Sequence, residues 1–250
     1  MAGEFTASEA EVITEPLPLG LPRAVEASLA LIGLAAAAPL IGIGALAIVA
    51  TSRGPVFFRQ ERVGQGGRVF KLHKLRTMKP STSGPQVTAG TDNRITPVGK
   101  LLRKTKLDEL PELWNVVKGE MSLVGPRPEV PRYVDMQNML WRQVLRARPG
   151  ITDPMTLILR NEETLLAAIP GDRELFYLQT LQPVKLQGYD QYLKTRSWWT
   201  DTKVLCETAL AILFPSRAPV PTLEQLSSNR PNSAKGTQPQ ILSTNAFSRN

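Results

Sequence analysis

The longest apolar stretch of the chain runs from Leu29 to Ala50 and contains no charged residue. About twenty apolar residues suffice to span the hydrocarbon core of a bilayer, so the stretch predicts a membrane segment. Pro39, near its centre, removes a backbone donor and predicts a kink. Two geometries fit equally well: a hairpin that enters and leaves by one membrane face, and a kinked helix that spans the bilayer. A buried helix of a soluble core fits less well, because no polar face recurs at helical spacing.

The residues that follow predict a small β-hairpin. Strand-forming residues occupy positions 56–58, glycines mark a turn at 64–67, and apolar residues recur with loose alternation from Val69 to Leu75. The glycine-rich turn resembles a phosphate-binding loop only weakly, so we interpret it as a hairpin turn. Residues 80–93 are rich in turn-forming residues and predict a loop.

The remainder of the domain predicts helices. Thr96-Pro97 is typical of a helix start, and a second helical segment is predicted from Leu107 to Lys118, where Gly119 ends it. Further helices are predicted at about 133–146, 163–169, 172–182 and 200–214. The last of these follows aromatic and basic residues, which is typical of a membrane-surface element; a helix packed on the core is an equally good interpretation.

The two ends of the chain are polar and rich in turn-forming residues, which predicts disorder. The pattern therefore divides the chain into a disordered leader (1–22), a membrane helix (23–52), a single domain (53–214) and a disordered tail (215–250).

Composition limits the chemistry. The formal net charge is +8, which favours nucleic acid, phosphorylated substrates or anionic lipid as partners. No helix-turn-helix, RNA-binding or zinc pattern occurs, so nucleic acid is not expected. Cys206 is the only cysteine and His73 the only histidine, which excludes an intrachain disulfide and disfavours Ser-His-Asp catalysis or a multi-histidine metal site.

One segment, KTKLDELPELWNV, combines acidic and basic residues at a predicted helix start. Neighbouring helical residues point about 100° apart, so Asp108 and Glu109 can face one cavity, one attacking while the other holds a cation. Magnesium prefers one or two carboxylates together with substrate phosphates. Arg103 upstream and Arg127, framed by two prolines, supply positive charge suited to phosphate. An acidic pair at a helix start is also an ordinary cap, and composition leaves both interpretations open.

Five sequence blocks resemble the bacterial sugar transferase family, the monotopic polyprenyl-phosphate phosphoglycosyl transferases. In order they are GPVFFRQERVG, FKLHKLRTM, ITPVGKLLRKTKLDELPELWNVVKGEMSLVGPRPE, RPGIT and RSWWTDTKV. With the apolar segment, the resemblance covers roughly residues 23–214. It implies an α/β fold: a compact, mostly helical catalytic domain with a small β-hairpin and surface amphipathic helices. It also implies a re-entrant helix-break-helix at Pro39 and a position on the cytoplasmic face of the bacterial inner membrane.

The resemblance further implies a reaction with two displacements. Asp108 would attack the β-phosphorus of a UDP-sugar and expel UMP, and polyprenyl phosphate would then take the sugar phosphate from the enzyme. Glu109 would bind Mg²⁺. Membrane lipid is an expected partner, and homo-oligomerisation is left open. The other expected substrate-binding residues are Lys74, Arg76, Arg103, Arg127, Arg148, Pro149, Gly150, Arg160 and Asp201.

The chain departs from the commonest family pattern after RPGIT. Many members continue with Gly-Trp-Ala-Gln-Val-Asn-Gly-Arg, whereas this chain reads TDPMTLILRNEE and keeps only the spacing of the closing Arg160. The sugar and the glycan pathway are therefore not predicted. The competing hypothesis is a non-catalytic, membrane-anchored basic scaffold, for which the Asp-Glu pair would be dispensable.

Overall fold

The computed structural model describes residues 17–79 and 92–214. Within these ranges the chain is mostly helical with two small β-sheets, which confirms the expected mostly helical fold with a hairpin. The predicted tail, most of the predicted leader and most of the 80–93 loop lie outside the described residues. Of the leader, Leu17 packs against an apolar cluster, and the Leu21 N–H donates to the Asp201 carboxylate over 3.0 Å.

Helix α1 (Arg23–Thr51) contains the whole apolar stretch. It is long and apolar enough to cross a membrane, a criterion that length and composition alone satisfy. The helix is α-helical throughout, with Pro39 inside it, so the helix-break-helix expected at this residue is not seen. A proline removes one backbone donor, and packing of Ala37 and Gly44 against the domain on either side supports continuity. A re-entrant attachment to the membrane stays a prediction.

The predicted hairpin is confirmed as strands β1 (Phe57–Val63) and β2 (Val69–Leu75), which pair antiparallel. A short 3₁₀ turn, Gln65–Gly67, connects them, and Gly66 and Gly67 adopt the positive φ angles that such a turn requires. Phe70 and Leu72 of β2 point into the core.

The segment with the acidic pair contains two helices separated by a tight turn. Helix α2 (Pro97–Thr105) begins at Thr96, whose hydroxyl accepts the Gly99 N–H over 2.9 Å, as predicted. A 3₁₀ turn (Leu107–Glu109) then precedes helix α3 (Glu112–Lys118), which ends at Gly119 with a φ of 85°. The predicted helical segment from Leu107 to Lys118 therefore consists of a 3₁₀ turn and a short α-helix.

Two three-residue strands were not predicted from the sequence. Strand β3 (Ser122–Val124) pairs in parallel with β4 (Gly150–Thr152), and the pair places the GPRP segment beside RPGIT. The remaining helices are α4 (Met139–Val144), α5 (Pro154–Ile158), α6 (Glu162–Ala168), α7 (Arg173–Phe176), α8 (Gln182–Lys194) and α9 (Trp198–Leu213).

Two of these helices differ from their predicted bounds. Helix α4 begins later than expected, because the Asp135 and Asn138 side chains accept the amides of Gln137 and Leu140 and compete with helical pairing. Helix α7 does not stop near residue 182 but continues through a π-helical turn, Tyr177–Leu181, into α8. A π turn is wider than an α turn, and this one ends two residues before Pro183, which lies in the first turn of α8.

Candidate active site

A sharp reversal of the backbone places the acidic pair. Lys106 adopts a left-handed conformation (φ 58°) that ends α2 and turns the chain into the 3₁₀ segment. Pro111 then serves as the N-cap residue of α3. Asp108 and Glu109 consequently lie in the turn between two helices rather than on a regular α-helix.

The Glu109 carboxylate is clamped by two cations from different parts of the chain. Lys74 of β2 donates to its Oε1 over 2.8 Å, and Arg127 donates to the same oxygen. Burial alone would raise the pKa of Glu109, but Arg127 and Lys74 outweigh burial and hold it well below its usual range. Glu109 is therefore ionised, and both cations contact the same one of its two carboxylate oxygens.

The Asp108 carboxylate lies in a different environment. Its side chain is buried, and its Oδ1 has no hydrogen-bond partner among the described residues. Burial, followed by the negative charge of Glu109, raises the pKa of Asp108, while Lys74, Lys106 and Arg103 oppose this rise. A buried carboxylate oxygen without a donor is weakly solvated, which makes it a better nucleophile than a capped one.

A third carboxylate, Glu112, completes the cluster and was not singled out from the sequence. Its side chain is 1% exposed, and its Oε1 lies 3.1 Å from Lys74 Nζ. Burial raises the pKa of Glu112, and the neighbouring Glu109 adds to the rise. The spacing of three residues from Glu109, which places both on one side of a helical turn, was the available signal.

Asn115, which was not singled out from the sequence, fixes the position of Lys74, one of the expected site residues. Asn115 of α3 accepts the His73 N–H over 3.1 Å and donates to the Lys71 carbonyl over 2.8 Å. It thus ties the edge of β2 to the helix that follows the acidic pair, which fixes Lys74 relative to Glu109. The imidazole of His73 is not part of these contacts.

The RPGIT residues support the loop that carries Arg127. The Gly125 N–H donates to the Thr152 carbonyl, and the Gly150 N–H donates to the Pro126 carbonyl, each over 3.0 Å. A Cβ at Gly150 would lie 2.1 Å from the Gly125 nitrogen, so the two backbones require glycine there. Pro149 accepts from strand β3, whereas Arg148 is half-buried.

Other expected substrate ligands are engaged elsewhere. Arg103 forms an ion pair with Glu163 of α6. Arg76 is buried and donates to the Ser52 and Arg53 carbonyls over 2.8 and 2.9 Å, at the end of α1. These side chains are not brought into contact with the acidic pair.

Two further expected residues lie in the C-terminal part of the domain. Asp201 is fully buried, pairs with Arg196 at 3.0 Å and accepts the Tyr192 hydroxyl at 2.6 Å. Arg160 is half-buried in the turn between α5 and α6. Of the expected set, the structure therefore groups Asp108, Glu109, Lys74 and Arg127 directly, with Pro149 and Gly150 as their support.

The acidic pair fits Mg²⁺ only together with a phosphorylated substrate. No group of three His, Cys, Asp or Glu side chains within the described residues is arranged to hold a metal. Two carboxylate oxygens of the acidic pair are not used by Lys74 or Arg127: Asp108 Oδ1, which has no hydrogen-bond partner among the described residues, and the second oxygen of Glu109. One or two carboxylate oxygens completed by phosphate and water is the coordination that Mg²⁺ prefers.

Comparison with known proteins shows which family the chain belongs to. The chain belongs to the bacterial sugar transferase family, whose profile matches residues 19–215. It is 37% identical over 186 residues to the UDP-glucose:undecaprenyl-phosphate glucose-1-phosphate transferase of Caulobacter vibrioides, covering 72% of this chain and 65% of that protein. It is 41% identical over 209 residues to the undecaprenyl-phosphate glucose phosphotransferase of Komagataeibacter xylinus, covering 78% and 36%.

A third relative has a name that refers to a different sugar. The putative undecaprenyl-phosphate N-acetylgalactosaminyl 1-phosphate transferase of Bacillus subtilis is 45% identical over 119 residues, covering 47% of this chain and 66% of that protein. The chain spans between about a third and two thirds of the length of these relatives.

Proposed function

We propose that the chain is a phosphoglycosyl transferase that moves a sugar 1-phosphate from a UDP-sugar to polyprenyl phosphate. The observation that carries this proposal is the buried, unpartnered oxygen of Asp108 beside a Glu109 carboxylate held by two cations. The family and the names of its relatives support the same reaction class. The differing sugars in those names are why we propose no particular sugar.

The first displacement uses Asp108 as the nucleophile. Its carboxylate oxygen forms a bond to the β-phosphorus of the UDP-sugar, and the bond from that phosphorus to the bridging oxygen breaks. The electron pair leaves with UMP, and the sugar phosphate stays on Asp108 as an acyl phosphate. Arg127, which lies against Glu109, supplies positive charge for the phosphate oxygens.

The second displacement regenerates the enzyme. A phosphate oxygen of polyprenyl phosphate bonds to the same phosphorus, and the Asp108 carboxylate leaves. Mg²⁺, held by Glu109 and phosphate oxygens, would supply charge neutralisation to the diphosphate. Lys74 keeps Glu109 ionised between the two steps, because it donates directly to that carboxylate.

The test is release of UMP by the full chain with a panel of UDP-sugars, with and without polyprenyl phosphate. Without acceptor we expect about one UMP per enzyme, followed by turnover when acceptor is added. Asp108→Asn should reduce release by at least a thousandfold, because an amide cannot replace the attacking carboxylate. Asp135→Asn, at an exposed turn, is the matched control and should retain activity.

Undiminished UMP release by Asp108→Asn would contradict the nucleophile assignment. The competing scaffold hypothesis makes the opposite prediction at every arm: no UMP release by the unaltered chain, and membrane binding that depends only on overall charge.

We also propose that α1 attaches the domain to the cytoplasmic membrane face with both of its ends on the same side. The helix is 29 residues, or about 43 Å, long. At its start Arg23 donates to the Val117 carbonyl over 3.1 Å, and at its end Ser52 accepts from Arg76. Both ends contact one domain, which disfavours placing them on opposite sides of a bilayer.

The exposed face of α1 is apolar and supports contact with lipid. Five of its large side chains are more than half exposed, and they share a lack of any polar atom. They are Leu31, Ile32, Ile43, Leu46 and Val49. A helix with one face on protein and an apolar face outward is consistent with a re-entrant or in-plane attachment.

Cysteine labelling separates one-sided attachment from a spanning helix. In a Cys206→Ser background, Leu19→Cys before α1 and Arg59→Cys after it should both be unlabelled by an impermeant reagent in intact spheroplasts. Both should react once the membrane is permeabilised, since both positions are exposed. Labelling of Leu19→Cys alone in intact spheroplasts would establish a spanning helix instead.

A further inference from the structure

A chain of polar groups, partly buried except for the buried Tyr177, lies behind the Arg127 loop and outside the residues that contact the acidic pair. Lys185 donates to Glu162 over 3.0 Å and lies 3.4 Å from the Tyr177 hydroxyl. That hydroxyl donates to Glu129 Oε2. Arg62 lies 3.5 Å from the other Glu129 oxygen. The charged groups alternate in sign, with the neutral Tyr177 hydroxyl between Lys185 and Glu129, and together they connect α6, α8 and the π-helical turn to β1.

Glu129 follows the GPRP segment directly, so whatever holds Glu129 also limits where Arg127 can lie. The Val63 N–H donates to the Glu129 carbonyl over 2.8 Å, and Arg62 donates to the Pro128 carbonyl over 3.0 Å. The Val130 N–H donates to Glu129 Oε1 over 2.8 Å. The C-terminal half of the loop is thus fixed by β1 on one side, and Tyr177 is its support on the other.

The Tyr177 hydroxyl is held in one orientation. Its side chain is buried, and its ring packs against Tyr133 with centroids 5.8 Å apart. Burial would lower the pKa of Lys185, but Glu162 together with Tyr189 and Glu129 outweighs burial, so the pKa is raised and the ammonium stays charged. Because Lys185 can only donate, the Tyr177 oxygen accepts from it and the hydroxyl proton is left for Glu129.

The local backbone is unusual at this residue. Tyr177 begins the π-helical turn between α7 and α8. Such turns are rare, occur often at functional sites, and widen the helix so that a side chain is displaced relative to a regular α-helix. The hydroxyl that reaches Glu129 is carried by the first residue of this turn.

We propose that Tyr177 is a positioning residue for the transfer reaction: its hydroxyl, oriented by Lys185, holds Glu129 and so fixes the loop that presents Arg127 to the phosphates. This inference rests on the proposed function. Tyr177 contacts neither Asp108 nor Glu109 in the described structure, so it acts through Arg127 rather than on the substrate. A loosened loop should therefore lower kcat more than it changes KM, because Arg127 would be misplaced during the transfer step while the substrate still binds.

The primary test compares Tyr177→Phe with Tyr133→Phe in the full chain. Both remove one hydroxyl from the same buried ring pair, but only the first removes the bond to Glu129. For Tyr177→Phe we expect kcat for UMP release to fall about tenfold with a smaller change in KM. For Tyr133→Phe we expect both constants to stay within twofold of the unaltered chain.

A double substitution tests whether the effect passes through Arg127. If Tyr177 acts by positioning Arg127, then Tyr177→Phe should change kcat less than twofold in an Arg127→Lys background. An undiminished tenfold fall in that background would overturn the proposal, because it would show an effect independent of Arg127. Equal losses for Tyr177→Phe and Tyr133→Phe would overturn it as well.

Amide hydrogen exchange tests the same inference without any reaction. Tyr177→Phe should accelerate exchange in the 125–130 segment several-fold, whereas Tyr133→Phe should not. Absence of UMP release by the unaltered chain would refute the proposed function alone, and the exchange result would still decide the role of Tyr177. Normal turnover together with unchanged exchange in Tyr177→Phe would refute only the positioning role.

Discussion

Asp108 and Glu109 are neighbours in the chain, yet their carboxylates have pKa values displaced in opposite directions. Burial and the charge of Glu109 raise the pKa of Asp108, whereas Arg127 and Lys74 overcome burial and lower the pKa of Glu109. The left-handed Lys106 makes this possible, because the turn it starts directs one carboxylate toward the cations and the other into a buried space. Two adjacent acids can therefore perform two roles at one pH.

Lys106 also opposes the rise in the Asp108 pKa, which gives a prediction about pH. A nucleophilic carboxylate must be deprotonated, so activity should fall as pH decreases through its raised pKa. Removing a nearby positive charge disfavours the anion further and raises that pKa. Lys106→Gln should therefore shift the acid limb of kcat/KM for UMP release to higher pH.

Lys104→Gln is the matched control for this pH prediction, since Lys104 is also exposed but is not among the largest charge contributions at Asp108. The acid limb of its pH profile of kcat/KM should coincide with that of the unaltered chain. A shift of equal size in both variants would point to net charge rather than to the local field at Asp108.

At the level of residues, the sequence predicts unevenly which side chains lie together at the candidate site. The acidic pair and Arg127 share one continuous motif block, and Lys74 lies in a second block, so motif order is enough to group them. Arg76 and Asp201 lie in such blocks too, but the structure shows them tied to the end of α1 and to Arg196. A basic or acidic residue type does not reveal which distant group it faces.

At the level of elements, local signals predict well and non-local ones do not. The hairpin and α2 are marked by glycines and by the Thr96 cap, both of which act within a few residues. Strands β3 and β4 have three residues each and are more than twenty residues apart, so they are too short for a periodic sequence pattern to predict them. Their pairing depends on a close approach of Gly125 and Gly150 that only the folded chain displays.

Helix α1 illustrates the same limit, because its apolar sequence conceals a seam that faces the domain. Small or apolar residues recur on this face at intervals of three or four: Ala30, Gly33, Ala37, Ile41, Gly44 and Ile48. The seam begins at Glu26, which is 2% exposed and accepts the Leu123 N–H over 3.1 Å. A carboxylate in the first turn thus joins α1 to β3, which leads into the Arg127 loop.

Glu26 therefore gives a prediction about stability. Glu26→Ala leaves the buried Leu123 amide without an acceptor, which should cost about 1–3 kcal/mol of unfolding free energy. Amide exchange at Leu123 should accelerate in parallel, measured on the full chain in detergent. Glu26→Gln is the control: its side-chain carbonyl can still accept, so it should lose less stability, and equal losses in both variants would contradict this assignment.

At the level of the whole molecule, α1 is part of the folded domain and not merely an attached anchor. Ala30 belongs to the apolar cluster around Val116 and Leu193, and Ile48 belongs to the one formed with Leu75 and Leu102. A helix that contacted only lipid would contribute to neither. Helix α1 and the domain that carries the acidic pair therefore share their interior, so membrane attachment through α1 would be tied to the shape of the candidate site.

Truncation tests this sharing directly. A chain that begins at Ser52 lacks the helix side of both clusters and the acceptor for β3, so it should aggregate or lack near-UV circular dichroism after purification in detergent. A chain that begins at Leu17 keeps every described contact of α1 and should fold and release UMP like the full chain. An anchor independent of the domain makes the opposite prediction: the Ser52 chain would be a folded, soluble monomer. That outcome would also remove the physical basis for a one-sided attachment, because the contacts at both ends of α1 would then be dispensable.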